Sequence, residues 1–306
     1  MSVPPIAGIS SIRERMIRYA CPTCRRPLVE DGDDLLCMHD GFRSRQCNGV
    51  RGFLSAREAE CHASFVEEYG AIRSAEGRGS DGPEHYLALP DAPVADPKHE
   101  EWRMRGESMR WLMGVLARHF AGRTLAIVDA GAGNCWLSRH LAEAGHEVVA
   151  LDVFADARDG LAAGRHYLEH LPISFDRVLA DYASLPFVNA CVDVVIYNGA
   201  FHYAGDMRGV LAEAVRVLRP GGLAIILDSP IYSDYASGMK MLAERRIKGR
   251  SAFLTFAGLR LMADALAFEL EIDVPRRSLF TRLKRRLAEV RMGREVATMG
   301  RVVLKA

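Results

Sequence analysis

The chain has 306 residues, 49% of them hydrophobic and 26% charged, with 40 Lys and Arg against 39 Asp and Glu for a net charge of +1. That length suits one large domain, or one such domain plus a small module, and the balance excludes a wholly disordered chain, a collagen-like repeat and a coiled-coil rod. No apolar run approaches the ~18 residues of a membrane span, and Met1 to Arg18 lacks the apolar block of a signal peptide, so a soluble cytoplasmic protein is expected.

Residues 1–57 are turn-rich and hold Cys21, Cys24, Cys37 and Cys47, four of the seven cysteines. An odd count clustered in this way reads as a metal site and not as a disulfide framework. Cys21-Pro-Thr-Cys24 has the spacing of a metal knuckle, in which two thiolates on a tight turn share one tetrahedral zinc. Cys37 opens a second knuckle, CMHD, where Asp40 stands at the position of the partner thiolate. The expected ligand set is therefore Cys21, Cys24, Cys37 and one of Asp40, His39 or Cys47, Asp40 being the residue at knuckle spacing.

Residues 58–98 begin with a helix, Glu58 to Arg73, and continue through a Gly- and Pro-dense connection, here read as a helical linker. From His99 to Ala306 apolar runs alternate with amphipathic helices. Trp102 to Phe120 reads as a helix, LAIVD (125–129) as a buried strand and Leu137 to Ala144 as a helix closed by Gly145. EVVALD (147–152) is a second strand, a third ends near Asp181, and VDVVIYN (192–198) is the fourth. A helix from Arg208 to Leu218 stops at Pro220-Gly221-Gly222 and leads into GLAIILD (222–228), the fifth strand. AFELEIDV (267–274) and MGRVVLKA (299–306) are two last strands around a basic helix, 278–291. This alternation predicts a doubly wound, mostly parallel seven-stranded α/β sheet.

Between the first strand and its helix lies Val128-Asp129-Ala130-Gly131-Ala132-Gly133-Asn134. Ligands of open α/β sheets bind at the carboxyl ends of the strands, and glycines there let a ligand approach the backbone. Asp152, ending the second strand, is placed to accept hydrogen bonds from ribose hydroxyls. A dinucleotide fingerprint fits poorly, because Trp136 stands where its third glycine belongs.

VDAGAGNCWLSRHLAEAGHEVVALD resembles the first two motifs of class I S-adenosylmethionine-dependent methyltransferases, a Rossmann-like fold. DYASLPFVNACVDVVIYNGAFHY resembles their third and fourth motifs, and EAVRVLRPGGLAIILDSP their fifth, over residues 125–230. The resemblance implies S-adenosylmethionine as cofactor. Asp129, Gly131 and Gly133 would then surround the methionine moiety, Ala132 and Asn134 would also bind the cofactor, and Asp152 would bind the ribose; Val153 would flank the adenine. Asp181 and Tyr182 would meet the adenine amino group and face, and Asn198 and Gly199 would lie near the reacting centre. His202 and Tyr203 follow the fourth strand, where the acceptor would approach; His202 would serve as general base or shape the pocket. Tyr203, Tyr232 and Tyr235 would wall that pocket or simply pack, and Asp228 to Arg246 suits a lid. The cysteine stretch, with Gly41 and Gly49-Val50-Arg51-Gly52-Phe53-Leu54, resembles the short zinc ribbons that precede or activate methyltransferases.

The acceptor expected is a small organic molecule, at oxygen, nitrogen or carbon. The alternative is an RNA base. Lys240 to Arg250 holds five basic residues against one acidic, and Arg276 to Arg294 eight against one. Such segments track phosphates or are solvated helix faces. A third alternative is a non-catalytic module that binds cofactor and serves protein partners.

Overall fold

The computed structural model describes residues 15–244, 252–275 and 279–306. Residues 245–250 and 276–278 of the two basic segments lie outside the described residues, as do residues 1–14. The chain opens on five short strands: β1 (Val29–Asp31), β2 (Asp34–Leu36), β3 (Arg43–Ser44), β4 (Gln46–Cys47) and β5 (Val50–Gly52). Helices α1 (Ala56–Ala75), α2 (Pro83–Ala88) and α3 (His99–Phe120) follow. Then come β6 (Ala126–Ala130), α4 (Trp136–Glu143), β7 (Glu147–Asp152), α5 (Arg165–His170) and β8 (Asp176–Leu179). The second half runs through β9 (Val192–Asn198), α6 (Met207–Val217), β10 (Leu218–Tyr232), α7 (Tyr235–Glu244), β11 (Leu254–Thr255) and α8 (Phe256–Ala265). It closes with β12 (Glu269–Asp273), α9 (Leu279–Met292) and β13 (Thr298–Lys305).

The seven expected strands form one sheet in the order β12-β13-β10-β9-β6-β7-β8. Strands β8, β7, β6, β9 and β10 are mutually parallel, and β13 is inserted antiparallel between β10 and β12. The strand order reverses at β6, which is flanked by β7 and β9, so the crevice at its carboxyl end is where a ligand is expected. β6 lies in mid-sheet, so both its faces are covered. Ala126, Val128 and Ala130 enter one core with α6 and α8, while Leu125 and Ile127 enter the other with α3 and α4. Strands buried on both faces read as continuous apolar runs, which is why LAIVD and VDVVIYN stood out in the sequence.

The sheet does not stop at β8. β5 pairs in parallel with β8 through Val50–Arg177 to Gly52–Leu179, and β4 adds an antiparallel strand beyond it, so the N-terminal stretch extends the main sheet. Its side chains enter the same core: Phe53 is buried and stacks between Tyr19, with centroids 5.3 Å apart, and Phe42, at 6.1 Å. Ile17, Tyr19 and Leu35 join it. No helix among the described residues is long and apolar enough to cross a membrane.

If the N-terminal strands and the sheet share one core, Phe53→Ala creates a cavity felt by the whole molecule. It should lower stability by about 3–5 kcal/mol, read in urea denaturation as one shifted transition, with no separate early unfolding of the first fifty residues.

Candidate functional site

The carboxyl ends of β6, β7, β9 and β10 open onto a cavity of about 690 Å³. All eleven residues expected to hold the cofactor line it: Asp129, Gly131, Ala132, Gly133, Asn134, Asp152, Val153, Asp181, Tyr182, Asn198 and Gly199. The loop from β6 to α4 turns through three left-handed residues, Gly131 at φ +81°, Gly133 at +52° and Cys135 at +65°. A Cβ on Gly131 would stand 2.3 Å from the Ala200 Cβ, so only glycine leaves this wall of the cavity open. Trp136 begins α4, buried and edge-on to Trp102 of α3 at 5.7 Å, and so serves packing where a dinucleotide fold has glycine.

Three aspartates set the polarity. Asp129 is 1% exposed; its Oδ2 accepts the Ser138 hydroxyl at 2.6 Å, while its buried Oδ1 has no hydrogen-bond partner among the described residues. Burial, opposed by the Ser138 bond, pushes its pKa up to about 7. Asp152 accepts the Gly133 N–H at 2.9 Å on Oδ2 and the Phe154 N–H at 2.9 Å on Oδ1, which fixes the plane of its carboxylate. Burial raises its pKa as well, against those backbone bonds. Asp228 also lines the cavity. Its Oδ1 accepts the Ser108 hydroxyl at 2.7 Å, and its buried Oδ2 has no hydrogen-bond partner among the described residues.

One wall was not foreseen in the sequence. Helix α1, expected as part of a linker, lies along the cavity through Phe65, Tyr69, Ile72 and Arg73. Ser55 caps its start in a reciprocal pair with Glu58. The helix is pinned at both ends: His62 Nε2 lies 3.0 Å from an Asp181 carboxylate oxygen, and Arg73 is ion-paired with buried Asp159. Tyr69 packs edge-on against both Phe154, at 5.3 Å, and Tyr203, at 5.7 Å. Just past the helix, Arg78 donates to Glu76 at 2.7 Å and to Glu101 at 2.9 Å, and its buried Nη1 has no hydrogen-bond partner among the described residues.

His202 is buried, with Nδ1 3.3 Å from the Ser229 hydroxyl, and its ring lies 4.2 Å from that of Tyr203. His202 and Asp228 also line a second, open cavity of about 400 Å³, together with Pro230, Tyr232, Met241 and Met299 and the Glu244–Arg294 ion pair. So Tyr203 faces the first cavity and Tyr232 the second, while Tyr235 is 69% exposed. The expected lid resolves into the end of β10 and helix α7, whose Met241 and Glu244 line the second cavity.

At the other end of the chain, one ligand atom from each of Cys21, Cys24, Cys37 and Asp40 lies within 4.8 Å of the others. Cys24 Sγ and Cys37 Sγ are 3.4 Å apart, and Cys21 Sγ is 3.2 Å from Asp40 Oδ2. The Phe42 N–H donates to Asp40 Oδ1 at 3.0 Å and orients that carboxylate. His39 and Cys47, the other candidates for the fourth position, are outside this group. In the basic segments, Arg285 is paired with Glu289 and Glu295, Arg294 with Glu244, and Lys240 donates to the Gly293 carbonyl.

Residues 128–226 match a family model described as a methyltransferase domain. Among curated proteins, the chain is 39% identical over 107 residues to the malonyl-[acyl-carrier protein] O-methyltransferase of Salmonella typhimurium, covering 33% of this chain and 38% of that protein. The enzyme of the same name from Pectobacterium atrosepticum is 36% identical over 113 residues, 36% of this chain and 40% of that one. The chain thus matches about two fifths of the length of these relatives. Magnesium protoporphyrin IX methyltransferase from Synechocystis, solved with bound S-adenosylhomocysteine, superposes with a TM-score of 0.52 at 14% identity, over 80% of this chain and 95% of that one. Residues 128–226 thus match a methyltransferase domain, and the superposition shows the class I, Rossmann-like fold.

The residues present fit the amino-acid end of S-adenosylmethionine, the cofactor that the sequence resemblance implies. It carries an ammonium and a carboxylate; Asp129 and Arg78 line the cavity with opposite charges, and each has one buried polar atom, Oδ1 and Nη1, without a hydrogen-bond partner among the described residues. A pH dependence follows. An ammonium needs Asp129 ionised, so below its pKa of about 7 the proton must leave before the cofactor binds. Affinity for S-adenosylmethionine should fall roughly tenfold per pH unit between 7 and 5, with the raised pKa of Asp152 acting in the same direction. Calorimetric titration at pH 5, 6 and 8 measures it; a flat affinity would remove Asp129 from the cofactor's charged end.

Proposed function

We propose that this chain transfers the methyl group of S-adenosylmethionine to a small organic acceptor. The observation that carries the reading is the convergence on one cavity of Asp129, the Gly131 to Asn134 turn, Asp152 and the ends of β9 and β10. When bound, the cofactor supplies an activated methyl group on a sulfonium that leaves as a neutral thioether. The protein's part is then alignment, water exclusion and charge placement.

Asp129 and Arg78 would hold the amino-acid end, Asp152 the ribose, and Val153, Asp181 and Tyr182 the adenine. The Gly131 turn brings backbone to the cofactor without a side chain between. Asn198 and Gly199 would sit beside the reacting centre, with His202 and Tyr203 on the acceptor's side. Helix α1, fastened through His62 and Arg73, would keep water from the cofactor once it is seated.

The cysteine group supports a structural zinc. Cys21, Cys24, Cys37 and Asp40 offer three sulfurs and one carboxylate oxygen within 4.8 Å of one another, on the module that feeds β5 into the main sheet. Zinc there would stabilise the sheet's edge and take no part in transfer. Elemental analysis of chain purified without chelator should give one zinc per chain, and Cys24→Ala should abolish the metal and lower thermal stability.

Two measurements test the main reading. Asp152→Ala should weaken S-adenosylmethionine binding about tenfold to a hundredfold, the cost of losing hydrogen bonds to a charged acceptor. Radiolabelled methyl from S-adenosylmethionine, offered to a fractionated cell extract, should appear in the low-mass, organic-extractable fraction. Label in a large, ribonuclease-sensitive fraction would replace the small acceptor with RNA.

A further inference from the structure

Asp228 occupies a place that the cofactor does not explain. Between Ile226–Val302 and Ser229–Gly300 the β10–β13 register shifts, so Leu227 and Asp228 together oppose Arg301. The shift is a β-bulge, and Asp228 takes it up at φ +50°, a left-handed conformation that costs a non-glycine residue about 1 kcal/mol or more. Bulges re-aim side chains, and this one turns a carboxylate out of the strand ladder into the partition between the two cavities, both of which it lines. Ser108, reaching across from α3, holds Oδ1 at 2.7 Å and leaves Oδ2 buried with no hydrogen-bond partner among the described residues. A buried acceptor of this kind is costly unless something donates to it.

Beyond Asp228 the second cavity is mostly apolar, walled by Pro230, Tyr232, Met241 and Met299, and its two charged residues are bonded to each other at 2.7 Å. The ligand that such a chamber takes has an apolar body and one polar group at its inner end, where His202 and Asp228 stand.

Resting on the methyltransferase reading, we propose that the second cavity is the acceptor subsite and that Asp228 is the catalytic base, so that the acceptor presents a hydroxyl or amine hydrogen and not a carboxylate. The acceptor's O–H or N–H bond breaks and its proton passes to the Asp228 carboxylate. The electron pair left on the heteroatom forms the new bond to the methyl carbon as the carbon–sulfur bond breaks, and its electrons stay on sulfur. A carboxylate acceptor needs no proton removed, and against Asp228 it would meet a like charge in a poorly solvated space. Burial, as the largest influence, raises the carboxyl pKa of Asp228, which suits a group that must take up a proton.

The test supplies tritiated-methyl S-adenosylmethionine with three probe sets of matched size: alkylphenols, arylamines and alkyl carboxylic acids. Ethers and methylamines keep their label in alkali, whereas methyl esters release it as volatile methanol. The expected result is alkali-stable product from the phenols or amines. Asp228→Asn, which suits a left-handed position as well as aspartate does, should cut that rate by a hundredfold or more. Its affinity for S-adenosylmethionine by calorimetry should stay within about twofold. Met241→Trp, which fills the second cavity, should raise the KM for the probe and leave cofactor affinity unchanged. Alkali-labile product, an unimpaired Asp228→Asn enzyme or an unchanged KM in Met241→Trp overturns this assignment while methyl transfer stands. A wild-type chain that binds no S-adenosylmethionine overturns the assignment together with the reading beneath it.

Discussion

A carboxylate sealed inside a protein must be neutralised, hydrogen-bonded or given a cation, and this fold presents that demand at one edge of its sheet. Asp129 ends β6, Asp152 ends β7 and Asp228 breaks β10, and all three line one cavity. Asp152 meets the demand with two backbone N–H groups, whereas Asp129 and Asp228 each meet half of it, with one serine hydroxyl. On our assignment the oxygens left over meet the cofactor's charged end and the acceptor's proton. Fold stability is given up locally so that ligands complete the bonding.

The rest of the molecule keeps those carboxylates in place. The two-sided burial of β6, β9 and β10 fixes the heights of their strand ends relative to one another, because a register slip would exchange the faces of Val128 and Ile127 between two filled cores. Helix α3 supplies both Ser108, for Asp228, and Glu101, one of the two partners of Arg78. Helix α1 lies against the cavity through aromatic contacts, the His62 contact with Asp181 and the Arg73–Asp159 ion pair, whose aspartates belong to the Rossmann-like half. At the far edge, β5 extends the sheet, so the cysteine module braces the strand that leads to Asp181.

The strands and their ends were legible in the sequence for a physical reason. Residues buried on both sheet faces form unbroken apolar runs, and the acidic or glycine residue that ends each run is conspicuous. The eleven residues expected around the cofactor came from the resemblance of those runs to class I methyltransferase motifs, and they line one cavity. The wall formed by α1 was not legible. Its one buried residue is His62, and its aromatic residues, Phe65 and Tyr69, face a pocket, so no apolar stripe announces a packing face. Asp228 escaped for a related reason: a single-residue bulge leaves no mark in the pattern, and GLAIILD reads as a strand that simply stops. The contribution of Val50–Gly52 to the sheet depends on a partner strand more than a hundred residues away, which local periodicity does not reveal.

The account stands or falls on where the cofactor's charged end sits. A crystal structure of the chain with S-adenosylhomocysteine measures this directly. The account predicts the ammonium on Asp129 Oδ1, the carboxylate at Arg78, the ribose hydroxyls on Asp152, and an open path from the sulfur past Asp228 into the second cavity. A product molecule whose amino-acid end lies away from Asp129, or whose sulfur is walled off from Asp228, would contradict it.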